Sequence, residues 1–400
     1  MMRKEIIDFD VEIDRTEVPT LKFDPKIIGS IFGKNNIWPS WVADMDFKGS
    51  SHIKNAIVRR AEHGVYGYEP SSDELTTAVS AWHEKRHNWS FKNEQVIFSP
   101  RTLASIASLI RLFSKEGEGV IVQPPVFYDF KRIILTNKRL LVKNPLKLIH
   151  RIYQIDFEHL EMIAADPNNK LLILCNPHNP IGRVWSSGEL ARISEICIAN
   201  DVYIITDEIH GDITYQSKYT PLASINKESS LNCASCISPV KSFNLAGVAN
   251  SMIVISHDEK RLACQSWFNR MQVNKNNVFT SAAMLAAYTK GESWLGQVIE
   301  YLEQNIKMLK NFLQEKIPLV KLIEPEGTYL LWLDFRNLSF DVKQLEDFLV
   351  QQAGIAGNPG HWFGREGAGF ARINIACPRR ILKNSLEKLE TAVRKLSNCK

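Results

Sequence analysis

Between residues 95 and 255, short uninterrupted apolar runs alternate with stretches whose apolar residues recur every three or four positions. The runs are 95–99, 119–123, 170–175, 202–206 and 251–255, each bounded by turn-forming residues. The intervening stretches 102–113 and 188–200 have helical spacing. Strands of a parallel sheet read as continuous apolar runs because helices cover both faces. The alternation therefore predicts an α/β chain built on a mostly parallel sheet covered by helices. Ligands of such sheets sit beyond the carboxyl ends of the strands. That rule singles out Pro124 to Phe127, Asn176 to Pro180 and Asp207 to His210.

The flanking regions have other rhythms. Residues 52–63 and 72–87 are helical in spacing, the second starting at Ser72 or Asp73 with Leu75, Val79 and Trp82 on one face. Residues 1–45 read as an irregular arm that runs into the aromatic segment Trp38-Pro-Ser-Trp-Val-Ala-Asp-Met-Asp46. From about Ala286 two long helical stretches, 293–315 and 343–352, flank a strand at 328–334. A further strand at 370–376 precedes a final helix at 382–396. This pattern predicts a smaller α+β domain over 286–400, joined by the arm 1–45, beside a large domain over 46–285.

Composition narrows the function. With 400 residues, 44% hydrophobic and 23% charged, the chain can bury a sizeable core. A net charge of +5 without a basic stripe argues against nucleic acid as a partner. No apolar run reaches the roughly 18 residues of a membrane span. The first ten residues do not resemble a signal peptide. The seven cysteines are scattered singly along the chain. Cys233-Ala-Ser-Cys236 has CxxC form, but no second pair or nearby His completes a metal site. A reduced, cytoplasmic protein without a bound metal is the expectation.

The chemistry-bearing residues are bland one at a time. An Asp after a strand is commonly a helix cap, Asn-Pro is commonly a turn, and Arg372 in a strand is commonly an edge residue. Their order is not bland. Asn176-Pro-His-Asn-Pro-Ile-Gly182, Asp207-Glu-Ile-His210, Ser238-Pro-Val-Lys241 and then Arg372 follow one another along the chain. This order resembles the fold-type I, aspartate-aminotransferase-like enzymes that use pyridoxal 5'-phosphate (PLP).

Further segments resemble the MalY/PatB branch of that group, the cystathionine β-lyases and cysteine C–S lyases. They are Trp41-Val-Ala-Asp-Met-Asp-Phe47, Gly64-Val-Tyr-Gly-Tyr68, Phe243-Asn-Leu-Ala-Gly247, Asn358-Pro-Gly-His-Trp-Phe-Gly364 and Ile375-Ala-Cys-Pro-Arg379. The resemblance implies a seven-stranded-type sheet, a homodimer and a role for each matching residue. Lys241 is the Schiff-base lysine and then the base at Cα. Asp207 pairs with the pyridine nitrogen, Asn179 contacts the phenolic oxygen, and His210 joins the cofactor's surroundings. Phe127 stacks on the ring where relatives have Tyr, with Tyr128 as a rival. Thr102 and Leu103 open a helix at the phosphate, and Ser238 contacts it. Tyr68 reaches the phosphate from the neighbouring subunit and takes part in catalysis. Arg372 grips the substrate carboxylate, and Asp44 and Met45 line the substrate.

Four departures from the family pattern stand out. Arg101 replaces a small residue and either touches phosphate or points to solvent. Val240 replaces Ser, Phe127 replaces Tyr, and Lys22-Phe23-Asp24 replaces a Lys-Trp-Asp pattern. The resemblance implies β-elimination from cystathionine or a cysteine S-conjugate to pyruvate, ammonia and a thiol. Transamination of a small amino acid would use the same residues. A third reading, of another class, is a PLP-binding protein that acts on a transcriptional regulator.

Overall fold

The protein is described by a computed structural model covering residues 6–70, 72–273 and 275–398. Its largest sheet has seven strands. They are β1 (Val96–Ser99), β2 (Gly119–Val122), β3 (Leu140–Lys143), β4 (Asn169–Cys175), β5 (Tyr203–Asp207), β6 (Cys233–Ile237) and β7 (Ser251–Ile255). The spatial order is β1-β7-β6-β5-β4-β2-β3. β7 pairs antiparallel with both β1 and β6, and the other neighbours pair parallel. The mostly parallel sheet read from the sequence is therefore present, with one strand reversed.

Side-chain alternation explains the continuous apolar runs. Along β4, Leu171 and Ile173 enter a core cluster with Ile106, Ile110 and Phe130, from helices Thr102–Phe113 and Tyr128–Thr136. Leu172 and Leu174 enter the other cluster, with Leu190 and Ile193 of helix Ser187–Ala199. Neighbouring residues of a strand point to opposite faces. Both faces are covered, so every position is apolar.

Predicted and observed strand ends agree to within a residue or two, as hydrogen-bond criteria allow. Two strands of this sheet were not foreseen. β3 is an edge strand with half-exposed side chains. β6 is Cys-Ala-Ser-Cys-Ile, too poor in branched residues to announce itself. Cys233 lies in one core cluster and Cys236 in the other, so the two thiols face opposite sides of the sheet and cannot share a metal. All six described cysteines are buried free thiols.

A second, antiparallel sheet contains Lys321–Ile323, Leu330–Asp334, Phe370–Asn374 and Asn358–Pro359. The arm is less irregular than expected. It holds a helix, Pro25–Phe32, capped by Asp24, with Pro at its first turn and Gly33 at φ 69° beyond its end. Those start and stop signals were in the sequence, but eight residues are too short for periodicity to reveal them. Trp38–Pro39 then pairs with Ile355–Ala356, and the Asn374 amide donates to the Ser40 carbonyl at 2.9 Å. The arm is thus tied to the second sheet. Position 285 falls inside helix Val278–Lys290, which packs against helices Ser51–Glu62 and Asp73–His87. Among the described residues no helix is long and apolar enough to cross a membrane.

Candidate active site

The carboxyl ends of β1, β2, β4, β5 and β6 open onto one cavity of about 510 Å³. Each contributes through the residues that follow it: Arg101 to Leu103, Phe127, Asn179, His210, and Ser238 to Lys241. Asp207 reaches the cavity as the last residue of β5, not as the first residue beyond it. Arg372, from the second sheet, and Trp41 to Asp44, from the arm, close the opposite wall. Ten predicted residues therefore meet at one place: Lys241, Asp207, Asn179, Phe127, Thr102, Leu103, Ser238, His210, Arg372 and Asp44.

Two predicted residues lie elsewhere. Met45 does not line the cavity. It is 2% exposed in the main core, because its backbone amide donates to Asn244 Oδ1 at 2.9 Å and fixes the chain with that side chain inward. Tyr68 is fully exposed on its own chain and touches none of the cavity.

Lys241 Nζ donates to the carbonyl oxygen of Ala43 at 2.7 Å, and the Tyr329 hydroxyl donates to the same oxygen at 2.9 Å. Burial lowers the lysine pKa to about 8, and the Arg372 charge assists, against the opposing pull of Asp44 and Asp207. Burial raises Asp207 to about 6, since only one hydrogen bond, from the Ile209 amide at 3.4 Å, and the Lys241 charge offset it. Burial also pushes the His210 imidazole well below its usual pKa, and its Nδ1 has no partner.

Arg372 is 1% exposed. Nη1 donates to Asn179 Oδ1 at 2.9 Å, Nε and Nη2 donate to Asn358 Oδ1 at 3.1 and 2.6 Å, and Nη2 donates to the Trp41 carbonyl at 2.9 Å. Every one of these acceptors is neutral. Burial therefore lowers this arginine to about 10. A buried cation without a counter-ion is costly, and an arriving carboxylate would relieve that cost. The Ala43 carbonyl and Asn358 were not foreseen as site groups. Both lie in family-like segments, which do not say what either group contacts.

Asp44 is held from outside the cavity. Arg15 reaches Asp44 at 2.7 Å and Asp46 at 2.6 Å, while Lys22, 1% exposed, reaches Asp46 at 2.8 Å and Asp44 at 3.4 Å. Burial opposes ionisation of Asp44, but the two cations outweigh it and keep its pKa below the ordinary value. Arg101 is exposed at the cavity rim, its Nη1 3.3 Å from the Ala246 carbonyl.

Residues 44–389 match the family described as aminotransferase class I and II. The chain is 35% identical to cystathionine β-lyase PatB of Bacillus subtilis, over 97% of this chain and all of that one. The chain belongs to the class I and II aminotransferase family. Among solved structures, cystalysin of Treponema denticola, which contains a pyridoxal 5'-phosphate cofactor, superposes with a TM-score of 0.94 at 32% identity, covering 98% of this chain and all of that one. The PLP-bound C–S lyase of Staphylococcus hominis superposes at 0.89 and 31% identity, over 97% of this chain and 98% of that one.

The cavity of this family member fits such a group by its unmet needs. Helix Thr102–Phe113 begins without a side-chain cap, leaving its first amides open to a phosphate. Asp207 is a buried carboxylate short of cationic partners. Asn179 lines the cavity beside Arg372, one aromatic face is offered by Phe127, and Lys241 presents an amine of lowered basicity. The volume lies within the range of small-molecule sites. Ser238 Oγ donates to the Asn250 carbonyl at 2.8 Å and would have to release that bond to donate to a phosphate.

Proposed function

We propose that this protein is a PLP-dependent carbon–sulfur lyase that cleaves cystathionine or cysteine S-conjugates by β-elimination, giving pyruvate, ammonia and a thiol. The observation that carries the reading is the convergence of the Lys241 amine, the Asp207 carboxylate and the unpaired Arg372 guanidinium on one buried cavity. The kinship with named C–S lyases over nearly the whole chain supports it.

Lys241 would hold the cofactor, Asp207 its ring nitrogen, Asn179 its phenolic oxygen, Phe127 its ring face, and Thr102, Leu103 and Ser238 its phosphate. When bound, the cofactor supplies a ring that takes up the electron pair left at Cα. Arg372 binds the substrate carboxylate and fixes which Cα bond faces Lys241. The neutral Lys241 amine takes the Cα proton. Burial and the Arg372 charge enlarge the share of that neutral form near neutral pH. The thiolate then leaves from Cβ.

The assembly is proposed to be a homodimer whose Tyr68 completes the neighbouring site. Val65, Tyr66 and Tyr68 are exposed at 64%, 56% and 102%, beside a large cavity between helices Ser51–Glu62 and Val278–Lys290. Such an uncovered aromatic patch needs a partner. The division into an arm, a large domain and a small domain remains part of this reading.

Pyruvate and a free thiol released from L-cystathionine without any added 2-oxo acid is the expected result. Turnover only when a 2-oxo acid is present would replace the lyase reading with transamination. The aminotransferase description of the matched family keeps that second reading in play.

A further inference from the structure

Among the described residues, the Arg and Lys side chains that line the candidate active site are Arg101, Lys241 and Arg372. Two of them have partners in the reading above. Lys241 joins the cofactor's aldehyde carbon, and Arg372 takes the substrate carboxylate. The lining carboxylates have partners too. Asp207 meets the ring nitrogen, and Asp44 is held from outside the cavity by Arg15 and Lys22. What remains is Arg101 and the cofactor's phosphate, which carries about two negative charges near neutral pH.

Arg101 occupies a position that disfavours a cation unless an anion is near. Its backbone is extended, at φ −160° and ψ 154°, and its carbonyl accepts from the Ser105 amide at 2.9 Å. It is therefore the N-cap of helix Thr102–Phe113. That position favours Ser, Thr, Asp or Asn, whose side-chain oxygens accept from the open amides. An arginine side chain has only donors. The helix start already carries about half a positive charge, and the first turn, Thr102-Leu-Ala104, holds no acidic residue. The guanidinium and the helix end thus add to one positive field at the phosphate end of the cavity.

The side chain also has donors to spare and open space beside it. At the cavity rim, Nη1 lies 3.3 Å from the Ala246 carbonyl, a long bond to a neutral acceptor. A guanidinium has five N–H donors, so that bond leaves most of them for an anion. The nearby wall is small and uncharged. Ala246, Gly247 and Ala249 line the cavity there, and a Cβ built on Gly247 would meet nothing within 4 Å. Ser251, on the same lining, pairs across the sheet with Ser99, two residues before Arg101.

We propose that Arg101 is the counter-ion of the cofactor's phosphate, donating to it from the rim beside the first amides of helix Thr102–Phe113. The residue that departs from the family pattern then serves the phosphate and not the solvent. Its charge grips PLP but not the unphosphorylated cofactor. The inference rests on the PLP site proposed above and not on the reaction assigned to that site.

Titration of apoprotein with PLP and with pyridoxal, read at the absorbance band of the lysine-bound cofactor, tests it, because the two ligands differ by the phosphate group. Arg101→Ala should raise Kd for PLP about tenfold to a hundredfold and leave Kd for pyridoxal unchanged. Arg101→Lys should recover part of the loss, since it keeps the charge and gives up the planar fork. Inorganic phosphate should compete with PLP for wild-type apoprotein, and about tenfold more of it should be needed with Arg101→Ala. Equal weakening of PLP and pyridoxal would make Arg101 a residue that shapes the site and would overturn the proposal. Unchanged PLP binding and phosphate competition in Arg101→Ala would overturn it as well, leaving the side chain to solvent. If wild-type apoprotein gives no Lys241-dependent band with either ligand, the cofactor site itself fails and takes this inference with it.

Discussion

Asn358 holds Arg372 from a single oxygen, Oδ1, which accepts from Nε at 3.1 Å and from Nη2 at 2.6 Å. The amide is neutral, so it orients the guanidinium without satisfying its charge. Asn358→Ala should release that orientation and raise the substrate KM about tenfold, with a smaller fall in kcat. Asn358→Asp should be worse, roughly a hundredfold in KM, because the new carboxylate competes with the substrate for the same cation. Steady-state kinetics on both variants would check the order. An Asn358→Asp variant that binds substrate as well as wild type would remove Arg372 from the carboxylate site.

The lowered pKa of Lys241 sets a pH dependence for cofactor capture. Only the neutral amine attacks an aldehyde. Its folded pKa lies at about 8, below the ordinary 10.5. The rate at which apoprotein takes up PLP should therefore climb about tenfold per pH unit below that value and level off above it. Arg372 is one of the groups holding the value down. Arg372→Met should move the whole curve to higher pH. Stopped-flow absorbance at the band of the lysine-bound cofactor reads both, and Lys241→Ala should abolish the band. A rate that does not change across pH 6–9 would place some other step or residue at the link.

The sequence made the sheet legible because both faces are covered. Once each strand is buried on both sides, its run is apolar throughout and its end marks a site, as at Cys175 and Asp207. The edge strand β3 and the Cys-Ala-Ser-Cys strand β6 escaped because neither carries that signal. Ten of the residues that line the cavity were legible through family-like order. Met45 was misplaced because a motif shared along the chain does not say which of two neighbouring side chains faces inward. The Ala43 carbonyl was out of reach altogether, since a backbone acceptor 198 residues from Lys241 leaves no trace in side-chain chemistry.

Asp207 should oppose stability while serving binding. Its folded pKa is raised from 3.8 to about 6, so between those values the native state holds a proton that the unfolded chain releases. Apoprotein stability should therefore fall as pH rises through that window, and the full cost should persist at neutral pH. A shift of this size corresponds to ~3 kcal/mol. Asp207→Asn should stabilise the apoprotein at pH 7 by up to about that amount, and bind PLP more weakly. Denaturant unfolding at pH 4 and pH 7, paired with a PLP titration, reads the two effects separately. A variant that loses stability at neutral pH would mean that a partner for the carboxylate exists in the native site.

If Tyr68 completes the neighbouring subunit's site, damage on two different chains can be repaired by mixing. Lys241→Ala and Tyr68→Ala homodimers should each be nearly inactive. In a mixed dimer, the subunit with an intact lysine meets its partner's intact tyrosine, so one site of the two is whole. Random reassortment makes half of the dimers mixed, and activity should recover to about a quarter of wild type. Denaturing and refolding the two variants together, then assaying pyruvate release against each refolded alone, measures this. Tyr68 is fully exposed on its own chain and has no reason to affect its own cavity. Recovery no greater than the average of the separate variants would therefore leave each site to a single chain.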